Sequence, residues 1–363
     1  MKIADTVVMA ISNYRRRILS CVVLAVSFLL PAQEIRAQDF YRGKTIKLVA
    51  ATQPGGTSDR RIRAMLPFLE KYIPGNPNIV VEYMPGGGDR KAGNYLHSTA
   101  RPDGLTIGGL GGGFVSNAIA GETGVMYDID RFIYLGSGFS RFTAIFVTRR
   151  EAGLQNLEKL RSASGLKIGA DSVGHHHYIV GRLFAWIIAF KDPRFVTGYS
   201  GAEVDLALLR GEVDARSQGG HSIISRTPEW IEKGLVHFHA VFEIPRGFRD
   251  KHGVFEPLPS FETFTRTDMQ RKVLAMYRNF RLTGSPFVLP PGTPKDRAEV
   301  MKGAFIKVFN DAEFLKKFEQ LTGAEAAPLM PDEQAQAIRE IPRDPETVKI
   351  FNRIAGTDPL PPS

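Results

Sequence analysis

At 363 residues, with 43% hydrophobic and 23% charged side chains, the chain has the composition of a globular protein of two domains or one large one. A formal net charge of +9 suits an anionic ligand, but lysine and arginine form no dense block, so no nucleic-acid partner is expected. The single cysteine, Cys21, excludes a disulfide framework.

The first 37 residues read as a secretory signal peptide. Arg15, Arg16 and Arg17 precede an apolar run from Ile18 to Leu30, and small residues around Ala37 mark the cut. The run is shorter than the roughly 20 residues that span a bilayer. An uncleaved anchor is the alternative, and lipidation is discounted because Cys21 lies near the start of the run. Cleavage removes a charge of +3 and the only cysteine, leaving +6, no thiol chemistry and a periplasmic location.

Strands and helices then alternate. Ile46–Ala51 predicts a buried strand, Pro54-Gly55-Gly56 a turn, and Thr57, Ser58 and Asp59 the opening of a helix that runs to Tyr72. Such a helix start, beside glycines that permit close backbone approach, suits an anion; an ordinary strand-to-helix turn is the competing reading. Ile79–Tyr83 and Thr106–Leu110 predict two more strands, the first followed by Gly86–Gly88 and a helix near Lys91–Ala100, the second by Gly111–Gly113. This is the rhythm of an open parallel sheet with ligands at the carboxyl ends of its strands.

A second unit of the same plan begins near Leu154. Leu157–Ala163 predicts a helix and Leu166–Ala170 a strand, followed by Asp171, Ser172, Val173, Gly174 and the triplet His175-His176-His177. An apolar helix over Tyr178–Phe190, a strand over Phe195–Tyr199, a helix over Ala202–Leu209 and a strand over Val213–Ser217 complete it. The stretch 243–294 resolves into no elements. Lys295–Phe309, Glu313–Thr322 and Asp332–Ile338 predict amphipathic helices, and 358–363 is expected to fray.

Catalytic signatures are missing from the chain: there is no P-loop, no G-x-G-x-x-G in the glycine run 108–113, and no G-x-S-x-G. The histidine triplet admits three readings. Its members point in different directions at a helix start, which does not suit a helical metal face. One or two imidazoles with the Gly174 backbone form a donor set for an anion, and plain packing is the third reading. Tyr199 and Gly201 offer a further polar rim, Gln218 an amide, and Gly112 and Phe114 a wall, the last with core packing as its competing role.

At these residues the chain resembles the periplasmic solute receptors of tripartite tricarboxylate transporters, the TctC or Bug family. The likeness rests on Tyr41–Val49, Pro54-Gly55-Gly56 with Asp59, Met84–Gly88, Pro102–Thr106, Tyr199-Ser200-Gly201, Leu209–Asp214 and Pro290–Pro294, in that order. It implies an α/β, two-lobed periplasmic-binding-protein-like (type II) fold with a hinge: residues 38–146 plus 242–363 in lobe 1, and 147–241 in lobe 2. It also implies a non-enzymatic monomer without cofactor or metal, which captures a small organic carboxylate and meets membrane permease subunits. Its binding residues are expected in two jaws, Thr52, Gln53, Gly55, Gly56, Thr57, Ser58 and Asp59 against Asp171, Ser172, Gly174, His175, His176 and His177. The triplet replaces the small or hydroxyl residues typical of that family, and Gln218 stands where an acid is often found. A sensor subunit for a signalling partner and a metal-dependent enzyme using His175–His177 are the alternatives.

Overall fold

The computed structural model describes residues 40–199 and 201–362; the expected signal peptide lies outside the described residues. The chain opens with β1 (Thr45–Ala50), α1 (Thr57–Tyr72), β2 (Asn78–Tyr83), α2 (Arg90–Ser98), β3 (Thr106–Gly109), α3 (Gly113–Ala120) and β4 (Ile133–Gly136). It continues through β5 (Phe142–Arg149), α4 (Leu157–Ser162), β6 (Lys167–Gly169), α5 (His176–Ile188), β7 (Arg194–Val196), α6 (Gly201–Leu209) and β8 (Ala215–Gly219). Two short helices, α7 (Gly220–Arg226) and α8 (Glu229–Glu232), lead to β9 (Val236–Ile244). Then come α9 (Asp268–Leu282), β10 (Phe287–Leu289), α10 (Lys295–Phe309), α11 (Ala312–Thr322), α12 (Pro331–Arg339) and α13 (Pro345–Ala355).

Two five-stranded sheets result, ordered β2-β1-β3-β10-β4 and β7-β6-β8-β5-β9. The expected α/β class holds, but the sheets are mixed, not parallel. In each, three parallel strands are joined by a strand that runs antiparallel to both neighbours: β10 in the first and β5 in the second. These inserted strands arrive from the other half of the chain, which reverses their direction. Residue 146 lies inside β5 and residue 242 inside β9, both strands of the second sheet.

The 243–294 stretch holds α9, β10 and the end of β9. Its proline and aromatic content hid α9, whose apolar face (Val273, Leu274, Met276, Tyr277, Phe280) is buried and whose start is capped by Thr267. One core cluster runs from Val49, Leu96 and Phe114 on the first sheet through Tyr277, Phe280 and Phe351 to Phe146, Phe184 and Ala215 on the second. Tyr277 stacks on Phe242 and Phe351 at centroid distances of 5.8 and 5.9 Å. The two halves therefore share a core at α9 and α13.

The C-terminal tail departs from the expected fraying. Arg182, buried on α5, donates Nε to the Ile354 carbonyl (2.8 Å) and Nη2 to the carbonyls of both Arg353 and Asp358. Trp186 Nε1 donates to the Pro362 carbonyl at 3.0 Å. Buried donors need partners, and the tail carbonyls supply them.

The glycine run after β3 has a packing cause. A Cβ on Gly113 would lie 2.4 Å from the Gly88 carbonyl oxygen, and one on Gly111 would lie 2.9 Å from the Asp89 carboxylate. The two glycine loops thus press backbone against backbone. Gly113→Ala is expected to cost about 1–3 kcal/mol by overpacking, measured as a lowered urea midpoint, whereas Gly121→Ala, which meets nothing within 4 Å but sits at φ +69°, tests the separate cost of backbone strain.

Candidate functional site

The loops that leave the carboxyl ends of β1, β3 and β6 converge with α9 on two cavities. The first, about 110 Å³, lies against the first sheet and is lined by Thr52, Ser58, Arg61, Asp89, Phe139 and Ser285 among others. The second, about 370 Å³, lies between the halves. Gly112, Ser116 and Asn117 from α3 and its loop face Gly174 and His176 from the second half, with Tyr277 and Arg281 of α9 beside them.

The β1–α1 loop is built from its glycine and its aspartate. Gly55 takes φ +84°, and its N–H donates to Asp59 Oδ2 at 2.7 Å. Asp59 also accepts from Arg63 Nε (3.0 Å) and from the Tyr83 hydroxyl (2.7 Å), and only 2% of it is exposed. Burial works against its charge, but the Gly55, Tyr83 and Arg63 bonds prevail and hold the carboxyl below the ordinary carboxylate value. Asp59 therefore braces the loop from behind, its carboxylate taken by Gly55, Arg63 and Tyr83. The cap position of α1 is Gly56, which has no side chain to offer its first amides. Ser58 and Thr52 face the first cavity; Gln53 and Gly56 are exposed; the side chain of Thr57 is outside the described part of the structure.

Arg61 escaped the sequence analysis. It follows Ser58 by three positions and so shares its helix face, a spacing that would have flagged it had the face been known. Its guanidinium lies 4.1 Å from the Phe139 ring centroid, its Nε is buried without a partner, and it forms no ion pair among the described residues. Burial, and then the charge of Arg281, pull its pKa down to about 10, so it stays cationic at neutral pH. Arg281 was missed for the same reason that α9 was. Its Nε is likewise buried and unpartnered.

In the β6–α5 loop, Gly174 takes φ +76° and Asp171 gathers two imidazoles on one oxygen: His175 Nδ1 at 3.1 Å and His177 Nδ1 at 3.3 Å from Oδ2. The His177 hydrogen bond, with the nearby charges, lowers the Asp171 carboxyl to about 2. These three side chains are the one set among the described residues with metal-ligand atoms grouped within 4.8 Å. The buried Arg216 guanidinium acts on both Asp171 and His177, which opposes a cation there. Ser172 and His175 are on the exposed rim of this loop.

His176 turns the other way. It is 9% exposed, and its Nδ1 lies 2.6 Å from the Tyr277 hydroxyl. Phe114 is fully buried, stacked at 4.7 Å on Tyr127, so its competing core role holds. Gln218 is fully buried as well, donating to Asp205 (2.9 Å) and accepting from the Gly219 N–H (3.0 Å). It belongs to the ion-paired network of Asp205, Arg216 and Arg226 and does not reach a cavity wall. Gly201 serves the same network through its carbonyl, which accepts from Arg216, and Tyr199 packs against the second-half core.

No family model and no curated protein matches this chain. Among solved structures, a TctC solute-binding protein from Polaromonas shares 16% identity with it, covering 86% of this chain and 98% of that one at a TM-score of 0.63. A structure described as a periplasmic transporter shares 18% identity over 86% of this chain and 97% of its own, with a TM-score of 0.50. The chain has the fold of a TctC solute-binding protein, a two-lobed α/β architecture, across nearly all its described length.

The buried imidazoles set a pH dependence. Burial lowers His177 and His239 to about 4, against an ordinary value of 6.5. The unfolded chain takes up these protons near 6.5 and the folded chain only near 4, so stability falls as pH drops between those values. Asp171, depressed to about 2, adds loss only below its ordinary 3.8. Thermal midpoints are expected to decline from pH 7 to pH 5. His239→Gln, which keeps a partner for Thr148, is expected to flatten that slope.

Proposed function

We propose that this chain is a periplasmic, non-enzymatic receptor that captures a small organic carboxylate between two lobes and delivers it to the permease subunits of a tripartite tricarboxylate-type transporter. Lobe 1 carries the first sheet and lobe 2 the second, with the changeovers before Phe142 and after Ile244. The shared fold with a protein described as a TctC solute-binding protein supports this reading. So does the placement of both cavities where loops leave the carboxyl ends of strands.

The observation that carries it is Arg61, a half-buried cation without a carboxylate partner, beside Ser58 at the start of α1. Burying an unpaired charge is costly, and a ligand carboxylate offsets that cost with a charge-assisted hydrogen bond. The Ser58 hydroxyl and the amide end of α1 add donors on that side of the cavity. Asp89, which also lines it, is turned to the Gly111 N–H at 3.1 Å, and burial raises its pKa.

A thermal-shift screen of the purified, ligand-free protein against mono-, di- and tricarboxylates tests the reading. A true ligand at 100 times its dissociation constant adds about 2.7 kcal/mol. Arg61→Gln is expected to weaken that ligand roughly ten- to a hundredfold, the worth of a charged hydrogen bond. If no carboxylate stabilises folded protein, the reading falls.

A further inference from the structure

We propose that Asp171, His175 and His177 form a binding site for a divalent metal ion of the zinc class on the β6–α5 loop of the second half. Three consecutive histidines on a helix do not suit a metal, but the structure groups a different set of three. The proposal stands apart from the carboxylate-receptor reading and does not depend on it.

The backbone at the start of α5 brings the ligands together. His175 is the cap residue and is extended (φ −65°, ψ 151°), and the helix itself begins at His176. Residues two apart across an extended position point to the same side, so His175 and His177 meet, with ring centroids 5.1 Å apart. His176, between them, turns away to Tyr277. Backbone bonds fix the loop beneath the rings: the His175 N–H donates to the Ser172 carbonyl at 3.1 Å, and the Gly198 N–H to the Asp171 carbonyl at 2.9 Å.

The atoms that converge are ligand atoms. Asp171 Oδ2 lies 3.1 Å from His175 Nδ1 and 3.3 Å from His177 Nδ1, and all three fall within 4.8 Å of one another. Tetrahedral bonds of about 2.0–2.1 Å to a metal separate its ligand atoms by about 3.3 Å, so two edges of such an array are present. His177 Nδ1 is hydrogen-bonded to Asp171, whereas His175 Nδ1 accepts the cap bond from the His177 N–H at 3.4 Å. An accepting nitrogen carries no proton, so it meets the carboxylate oxygen lone pair to lone pair. A cation between them turns that repulsion into two bonds; a proton on Nδ1 relieves it only by giving up the cap.

The ligand set selects the ion. Two imidazoles and one carboxylate suit zinc and its neighbours, whereas calcium and magnesium take oxygen ligands. The side chains of His175 and Asp171 are 41% and 20% exposed, which gives an ion an entry path and leaves one coordination position for water. Arg216 weakens the site. It is ion-paired with Asp205, but its charge still reaches Asp171. The affinity is therefore expected to fall below that of a closed four-ligand site.

Isothermal titration of the purified, untagged and chelator-stripped protein with zinc chloride decides the matter. One equivalent is expected to bind, with no heat from calcium or magnesium at the same concentration. His175→Asn keeps a capping acceptor and removes one imidazole. It is expected to weaken zinc by about tenfold or more, since even the outer partners of metal ligands are worth that much. His237→Ala, on β9 and outside the cluster, is expected to leave zinc binding unchanged. Should His175→Asn fail to fold, cobalt(II) added to the wild-type protein stands in, with the intense visible absorption of tetrahedral coordination, abolished by zinc, as the expected result. No zinc uptake, a loss of less than tenfold in folded His175→Asn, or cobalt that keeps the spectrum of its aqua ion would overturn the site and leave Asp171 as a hydrogen-bonding partner of the rings. None of these results touches the carboxylate reading, which its own screen decides.

Discussion

The contact on which the rest depends is the hydrogen bond between Tyr277 and His176, set inside a stack of rings. Tyr277 belongs to α9, packed between β9 and the last helix, whereas His176 opens α5, the most deeply buried helix of the second half. Phe242, Phe351 and Phe142 close around the pair. The same few side chains thus join the two sheets, floor the cavity between them and determine which imidazole nitrogen faces that cavity. Their burial serves stability, and under the receptor reading it also serves recognition, because a ring held on several sides has little freedom to lose when a ligand binds.

The arginines divide into those compensated within the fold and those left unpaired beside the cavities. Arg216 is fully buried and ion-paired with Asp205, which also receives Arg226 and Gln218. Arg182 spends its donors on three carbonyls of the tail, and Arg249 pairs with Glu243 while donating to carbonyls of 255–258. Each of these cations is compensated within the fold, as burial demands. Arg61 and Arg281 are the exceptions beside the cavities, and both lie against aromatic rings that provide only partial compensation. An uncompensated cation in a cleft signals a binding role more specifically than a glycine-rich loop, which packing alone can explain, as it does at Gly113.

Much of the fold was legible in the chain. Hydrophobic alternation and glycine turns located β1, β2, β3 and their helices, and the repeat of that plan located β6, α5, β7, α6 and β8 to within about two residues at most ends. What the pattern could not show were the inserted strands β5 and β10, since a three-residue strand such as Phe287–Leu289 has no period of its own and is defined by its neighbours. For the site, local reading found the loops but not the direction of side chains. Asp59, Phe114 and Gln218 have suitable chemistry and sit at suitable places, yet each turns inward because a backbone amide, a ring or an aspartate holds it there. Arg281 lay beyond reach, because its place beside the cavities depends on α9 returning to the cleft from far along the sequence.

The shared core also constrains how the cleft can open under the receptor reading. Two lobes joined only by extended strands can separate freely, but here α13 packs on α5, α9 and α3, and Arg182 ties its last carbonyls to α5. Parting those helices would expose Phe280, Phe351 and Ile354 to water at roughly 1.5–3 kcal/mol for each large apolar side chain. Opening is therefore cheapest as a rotation that keeps the α9–α13–α5 contact packed and parts the opposite rim of the cleft. A ligand that bridges the rim and the floor then favours the closed state by the contacts it makes to both, and one that reaches only the rim has less differential affinity to shift the equilibrium.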